Sequence, residues 1–280
     1  QSKNNIPKQF VDWGGWTLFG KTLERIKASI FDDPIITTNY SYLNLVEKYL
    51  SKHKVRKYKI ILEPFKKNTA PAILTSSLSD EIQYDQPMIF FSADNLIGKI
   101  DTFNKSINSY KKYLNSHNIF IFGIKPKSLS KEYGYFLSKK KFNGLNKVVE
   151  FIEKPGSKKI KEIFKKKAYM NSGMFFAKKE SIISNFANYQ ENMFTHCFNS
   201  IRKSKIKNKV CYLDKLSFKK VKEISFDYAI LEKSNEVYGL KLNIPLEDLG
   251  NWKEIWKFFT KNNSKAKKKQ NTFHRPWGKY

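Results

Sequence analysis

The sequence is short of cysteine, histidine, acidic residues, arginine and long apolar runs, and each shortage excludes something. Cys197 and Cys211 are the only cysteines of the 280 residues and form no C-x-x-C pair, so free thiols in a reducing, cytoplasmic setting are expected. His53, His117, His196 and His274 are equally scattered, and His196 beside Cys197 is no thiol–imidazole pair, because sequence neighbours seldom face each other. The longest apolar stretches, MIFF at 88–91 and IFIFGI at 119–124, are strand-sized and fall short of the roughly 18 residues of a membrane span, so no membrane crossing is expected. Acidic residues number 25 against 53 Lys+Arg, a net charge of +28 that invites a nucleic-acid reading. Arginine argues against it. Arg25, Arg56, Arg202 and Arg275 are the only four, whereas phosphate and groove recognition recruits the planar guanidinium fork. Lysine, Asn, Ile, Phe and Tyr, all abundant, share A/T-rich codons. The surplus charge therefore reads as base-composition bias on a solvated surface, with no nucleic-acid partner.

What is present is a globular composition, 40% apolar and 15% aromatic. The chain starts at Gln1, so processing or incomplete coverage has removed whatever came first, and a leader is left open. Strand-like PIITTN (34–39) precedes a helix over 41–52, and YKIILE (58–63) precedes a helix opening near Pro71. MIFFSA (88–93) precedes a helix at about 101–115, and NIFIFGI (118–124) is a further buried strand. This alternation predicts an α/β fold with a mainly parallel sheet and helices on both faces. Beyond about residue 130 the rhythm loosens, with strands near 145–153 and 173–178 and helices near 157–167, 180–204 and 227–233. A last helix over 251–259 brings Trp252, Ile255, Trp256 and Phe259 to one side. One domain over 1–260, a basic linker over 261–271 and the threshold of another domain at 272–280 are expected.

In open parallel sheets ligands bind beyond the carboxyl ends of strands, which directs attention to polar residues placed there. Asp94 follows MIFFSA, and Glu63 closes YKIILE ahead of Asn68 and Thr69, where the helix N-terminus offers free N–H groups to a nucleotide or phosphate. Asp94 and Asp248, distant in sequence, would suit Mg²⁺, which takes one or two carboxylates plus substrate phosphates; taken singly, a post-strand aspartate more often caps a turn. Lys8 in IPKQF and Lys154 in VVEFIEKP adjoin apolar or proline-bounded segments, so they stand out from the solvated lysine runs.

Taken in order, IPKQF (6–10), TLF (17–19), LEPFKKNTAPAI (62–73), SADN (92–95), FGIKP (122–126), EYGYF (132–136), VVEFIEKP (148–155), MNSGMFFAK (170–178), SFDYAILEK (225–233) and DLGNW (248–252) cover nearly the whole chain. The set resembles the bacterial mannose-1-phosphate guanylyltransferases, in the long form fused to a mannose-6-phosphate isomerase domain. The closing HRPWGKY resembles the opening of that cupin-type domain. The resemblance implies a Rossmann-like fold of the GT-A type and a reaction of polysaccharide biosynthesis, in which mannose 1-phosphate and GTP give GDP-mannose and pyrophosphate with Mg²⁺ on Asp94 and Asp248. It also implies that Lys8 contacts phosphate and that Glu63, Asn68, Thr69 and Asp94 belong to the nucleotide site. Gly134, Glu153, Lys154, Asn171 and Asp227 would hold the sugar phosphate. A homo-oligomer is compatible with it.

The sequence departs from that pattern in places. A glycine-rich G-G-x-G-T-R-L segment should lie a few residues before IPKQF, and Gln1 begins too late to include it. The expectation is therefore a transferase domain lacking its first strand and phosphate loop, with a gap left in the sheet, inactive as written and a fragment of a longer protein. Asn95 stands where the family has histidine, Lys67 where it has arginine, and Glu132 where it has glycine. The β-helix-like segment that the family places before the isomerase is reduced to the lysine-rich stretch. Two other classes compete: a non-catalytic sugar-nucleotide-binding or regulatory subunit, and a polyanion-binding protein.

Overall fold

Residues 6–126, 130–141 and 145–248 are described by the computed structural model, with Leu246–Asp248 described by backbone alone. The expected helix at 251–259, linker and final nine residues lie outside them. After a 3-10 turn at Lys8–Phe10 come α1 (Leu18–Arg25), β1 (Ile35–Asn39), α2 (Leu43–Lys52), β2 (Lys59–Glu63), α3 (Thr69–Ser77), β3 (Pro87–Phe90) and β4 (Asn95–Ile97). The middle of the chain gives α4 (Ile100–Lys111), β5 (Ile119–Ile124), β6 (Tyr135–Lys140), β7 (Asn146–Ile152), α5 (Ser157–Lys165) and β8 (Tyr169–Lys178). Then follow α6 (Lys179–Tyr189), α7 (Glu191–Arg202), β9 (Lys205–Lys207), β10 (Val210–Tyr212), α8 (Lys215–Lys219), a π-helical turn at Asp227–Leu231, β11 (Val237–Leu242) and β12 (Leu246–Asp248).

Two sheets share the core. One has the order β1-β2-β10-β9; the other has β3-β8-β5-β11-β7-β6, and β6 also pairs β8 so that five strands close on themselves. The α/β expectation holds, and the pairing is mixed: β1–β2, β2–β10 and β5–β11 are parallel, while β8 runs antiparallel to β3, β5 and β6. β2 and β5 are continuous apolar runs buried on both faces, as strands sandwiched between helices must be. β1 and β3 are only half-buried along their length. Each ends its sheet among the described residues, and a groove of about 380 Å³ lies between them, lined by Ile35, Thr37, Ile89 and Phe91 and floored by Thr69, Ala72 and Ser76 of α3.

Helix α3 lies deep in the core although its sequence, TAPAILTSS, is rich in hydroxyls. Burying unpaired hydroxyls would be costly, and α3 avoids it by back-bonding. Thr75 donates to the Pro71 carbonyl at 2.8 Å, Ser76 to Ala72 at 2.7 Å and Ser77 to Ile73 at 2.8 Å. The expected long helix over 180–204 is two, broken at Gln190, whose φ of −144° and ψ of 48° leave the helical region.

Phe136 of β6 sets the spacing of the second sheet. Its ring fills a notch left by Gly123 of β5 and Gly239 of β11, where a Cβ on either glycine would collide with it, and it stacks on Tyr169 at 5.9 Å. Glycine at these two positions is thus a packing requirement. Gly239→Ala is expected to lower stability by about 1–3 kcal/mol through overpacking, read from the urea midpoint; a change below about 0.5 kcal/mol would show that the ring shifts freely.

Candidate functional site

The first cluster forms where the chain leaves β3. Lys8 sits on a 3-10 turn anchored by Phe10, which is 5% exposed and meets Phe19 at 5.3 Å and Tyr49 at 5.7 Å. The anchored turn aims the ammonium, and Lys8 Nζ meets Asp94 Oδ2 at 2.7 Å. The Ser92 hydroxyl donates to the other oxygen of the same carboxylate. β12 pairs antiparallel with β4 and sets Asp248 opposite Asn95, the residue that follows Asp94, so the backbones of two aspartates separated in sequence by more than half the chain come near each other.

Asn95 is the hinge between this cluster and the next. It is 3% exposed, donates from Nδ2 to the Ser172 carbonyl at 2.9 Å, and its own carbonyl accepts from Arg25 Nη2 at 2.6 Å. Arg25 is 2% exposed and sits 5.1 Å from the Phe91 ring centroid. Burial draws its guanidinium down to about 10, and its Nη1 finds no hydrogen-bond partner among the described residues. A lysine could not both donate sideways and lie flat on an aromatic ring. In a chain where lysine supplies almost every cation, an arginine at this position is itself a signal in the sequence.

The second cluster lies across β8. Asn171, 7% exposed, donates from its backbone to the Gly134 carbonyl at 2.8 Å and from Nδ2 to Asp227 Oδ1 at 2.8 Å. Glu153 closes against Gly134, where any Cβ would collide with its Oε2. Burial, reinforced by Asp227, pushes the Glu153 carboxyl up to about 7, with Lys154 opposing. Burial pushes Asp227 up to about 6, opposed by Lys154 and by the Asn171 hydrogen bond. Lys154, in the left-handed region at φ 47°, stands 3.9 Å from Glu153 and stays half in solvent. Glu232 was missed from sequence; its carboxylate accepts the Glu153 N–H at 3.1 Å and fixes the turn after β7.

Two expected placements are corrected. Glu63 does not reach the open crevice: it shares the face of Ile61, is 8% exposed, and its charge acts on Cys197 of α7. The reason is strand alternation, which turns Ile61 and Glu63 alike toward the helix-covered core. The start of α3 is also no open anion site. Asn68, at φ 69°, caps the Thr69 N–H at 2.8 Å, Ala70 N–H is taken by the Ile224 carbonyl at 3.2 Å, and Pro71 has none. A wide depression of about 510 Å³ beside β9 and β10, lined by Glu47, Tyr58 and Lys209, contains none of the motif residues. No helix among the described residues is long and apolar enough to cross a membrane.

The mixed α/β sheet pair thus carries a lysine–aspartate contact at one strand end and a desolvated carboxylate cluster across β8. The chain belongs to the nucleotidyl transferase family, whose pattern matches residues 3–265. It is 28% identical over 261 residues to an alginate biosynthesis protein AlgA of Pseudomonas fluorescens, covering 91% of this chain and 54% of that protein. To a mannose-1-phosphate guanylyltransferase of Escherichia coli it is 27% identical over 273 residues, covering 94% and 59%. The chain thus spans little more than half the length of these curated relatives. Among solved structures it superimposes on a mannose-6-phosphate isomerase of Helicobacter pylori with a TM-score of 0.78 at 25% identity, covering 87% of this chain and 95% of that one.

Glu63 gives the site region a testable pH dependence. Burial raises it from 4.5 to about 8, so the folded state holds this proton more tightly than the unfolded one. The associated stability is complete below the ordinary carboxylate range and is lost as pH rises toward about 8. Urea titrations from about pH 4 to about pH 9 should show Glu63→Gln gaining roughly 3–5 kcal/mol on the wild type across that range. Parallel pH profiles would show the carboxyl to be solvated.

Proposed function

We propose that the protein is a sugar-phosphate nucleotidyltransferase that joins mannose 1-phosphate to GTP, giving GDP-mannose and pyrophosphate. The observation that carries this reading is the double cluster: Lys8 on Asp94 at one end of Asn95–Ser172, and Asn171 on Asp227 at the other. The ordered motifs, the family and the curated relatives support the choice of substrates.

The chemistry asks little proton transfer of the protein. An ionised oxygen of the sugar phosphate attacks the α-phosphorus of GTP; the new P–O bond forms as the bond to the bridging β-phosphate oxygen breaks, and pyrophosphate leaves with that electron pair. Two anions must be aligned and their charge neutralised, which are positioning and electrostatic tasks. Lys8, now pairing with Asp94, would turn its ammonium to phosphate oxygens. Asn171, Glu153 and Asp227 are the groups for the sugar hydroxyls: a carboxyl near neutrality accepts or donates, and Asn171 does both. Lys154 would meet the sugar phosphate at the solvent edge. Asn68 and Thr69 would border the nucleotide.

The chemistry of Asp94 and Asp248 fits Mg²⁺, since both offer hard carboxylate oxygens, Asp248 is paired with the residue after Asp94, and the ion would keep water and phosphates for its other positions. When bound there, the ion supplies charge neutralisation to the triphosphate. The groove between β1 and β3 suits one further strand, and a strand leading into a glycine-rich loop beside Lys8 would bring backbone donors to the phosphates.

The full-length protein is expected to release pyrophosphate from GTP only when mannose 1-phosphate and Mg²⁺ are both present. Asp94→Asn should cut the rate by about 100-fold or more with the circular dichroism unchanged. Full activity in that variant would remove Asp94 from the site, and no turnover by correctly folded protein would overturn the reading.

A further inference from the structure

We infer that Thr69 is a positioning residue that ties the nucleotide-side loop to the sugar-side carboxylate Asp227, an inference that rests on the guanylyltransferase reading. Thr69 opens α3, yet its hydroxyl does not cap that helix, because Asn68 already does so. Its Oγ1 instead accepts the N–H of Phe226 at 2.9 Å, a residue 157 positions away. Three further bonds clamp the same segments: Ala70 N–H to the Ile224 carbonyl at 3.2 Å, Ile224 N–H to the Lys67 carbonyl at 3.3 Å, and Lys67 Nζ to the Lys219 carbonyl at 3.4 Å.

What lies beyond Phe226 gives the clamp a consequence. Phe226 is fully buried, 4.6 Å from Phe175 and 5.9 Å from Phe186 between ring centroids, so its side chain is pinned while its N–H is held by Thr69. The next residue is Asp227, which begins the π-helical turn and whose backbone carbonyl accepts the Glu232 N–H at 3.0 Å across five positions. Such turns are usually found where a fold places functional side chains. This one carries both Asp227, which takes the Asn171 amide, and Glu232, which takes the Glu153 N–H. One exposed hydroxyl on the nucleotide loop therefore registers the turn on which the sugar-side carboxylates depend. The same hydroxyl keeps its proton free to donate, since a hydroxyl accepts and donates at once. A ligand acceptor there would polarise the bond to Phe226, and the two substrate affinities would be coupled.

The test uses Thr69→Val and Thr69→Ala, which delete the acceptor, and Thr69→Ser, which keeps it, in the full-length protein. Hydrogen exchange at the Phe226 amide should speed by about 10-fold in the first two and stay within about 2-fold of wild type in Thr69→Ser. Calorimetry should show affinity for mannose 1-phosphate falling by about 10-fold in Thr69→Val and Thr69→Ala, with Thr69→Ser retaining it. Loss of GTP affinity alone would make Thr69 a nucleotide contact and overturn the inference. Unchanged sugar affinity in Thr69→Val would overturn it as well. Should wild-type protein bind no mannose 1-phosphate, the substrate reading fails separately, and the exchange data decide: protection lost in Thr69→Val and kept in Thr69→Ser supports the tie, and equal protection ends it.

Discussion

The site depends on a break in β8. That strand pairs β3 and the first half of β5 through Phe175–Lys178, then resumes on β5 and β6 through Tyr169–Asn171, and the register shifts between Ile121 and Gly123. Gly173, at φ 71°, takes the chain through the interruption. Polar backbone released from a ladder in a core must find other partners, and here those partners are the site. The Ser172 carbonyl takes Asn95 beside the Lys8–Asp94 pair, and Asn171 reaches Asp227. A single irregularity thus joins the Lys8–Asp94 cluster to the Asn171–Asp227 cluster.

The two sides differ in what surrounds their carboxyl groups. Asp94 has an ammonium at 2.7 Å and a hydroxyl donor on its other oxygen. Burial raises both Glu153 and Asp227 toward neutrality, with Asp227 adding to the rise of Glu153, against the half-solvated Lys154 and, at Asp227, the Asn171 hydrogen bond. In the proposed reaction the ion-paired aspartate falls on the side given to the triphosphate, and the raised carboxyls on the side given to the sugar hydroxyls, which need donors as well as acceptors. The division matches the two halves of the proposed reaction and does not require a general base.

Legibility in the sequence followed the physics of each element. β2 and β5 are readable because strands buried on both faces must be continuously apolar. β8 reads as shorter than it is, because Asn171 and Ser172 are polar at the very point where the ladder breaks. The helix over 180–204 reads as one because nothing in the identity of Gln190 marks a break, although its backbone leaves the helical region there. The carboxylates at strand ends were legible by position, and their grouping came with the motif resemblance. Glu63 misled, since a strand-terminal acid reads alike whichever face it takes. Glu232 and the Thr69–Phe226 bond carry no sequence signal, because backbone N–H groups are present at almost every residue and only the fold selects among them.

The central claim is that one sugar nucleotide spans both clusters, across Asn95 and Ser172. A crystal structure of the full-length protein with GDP-mannose and Mg²⁺ tests it most directly. The account predicts the mannosyl ring against Asn171, Glu153 and Asp227, with the diphosphate reaching the Lys8–Asp94 end. A sugar nucleotide bound in the depression beside β9 and β10, or with its mannose at the Lys8–Asp94 end, would contradict it.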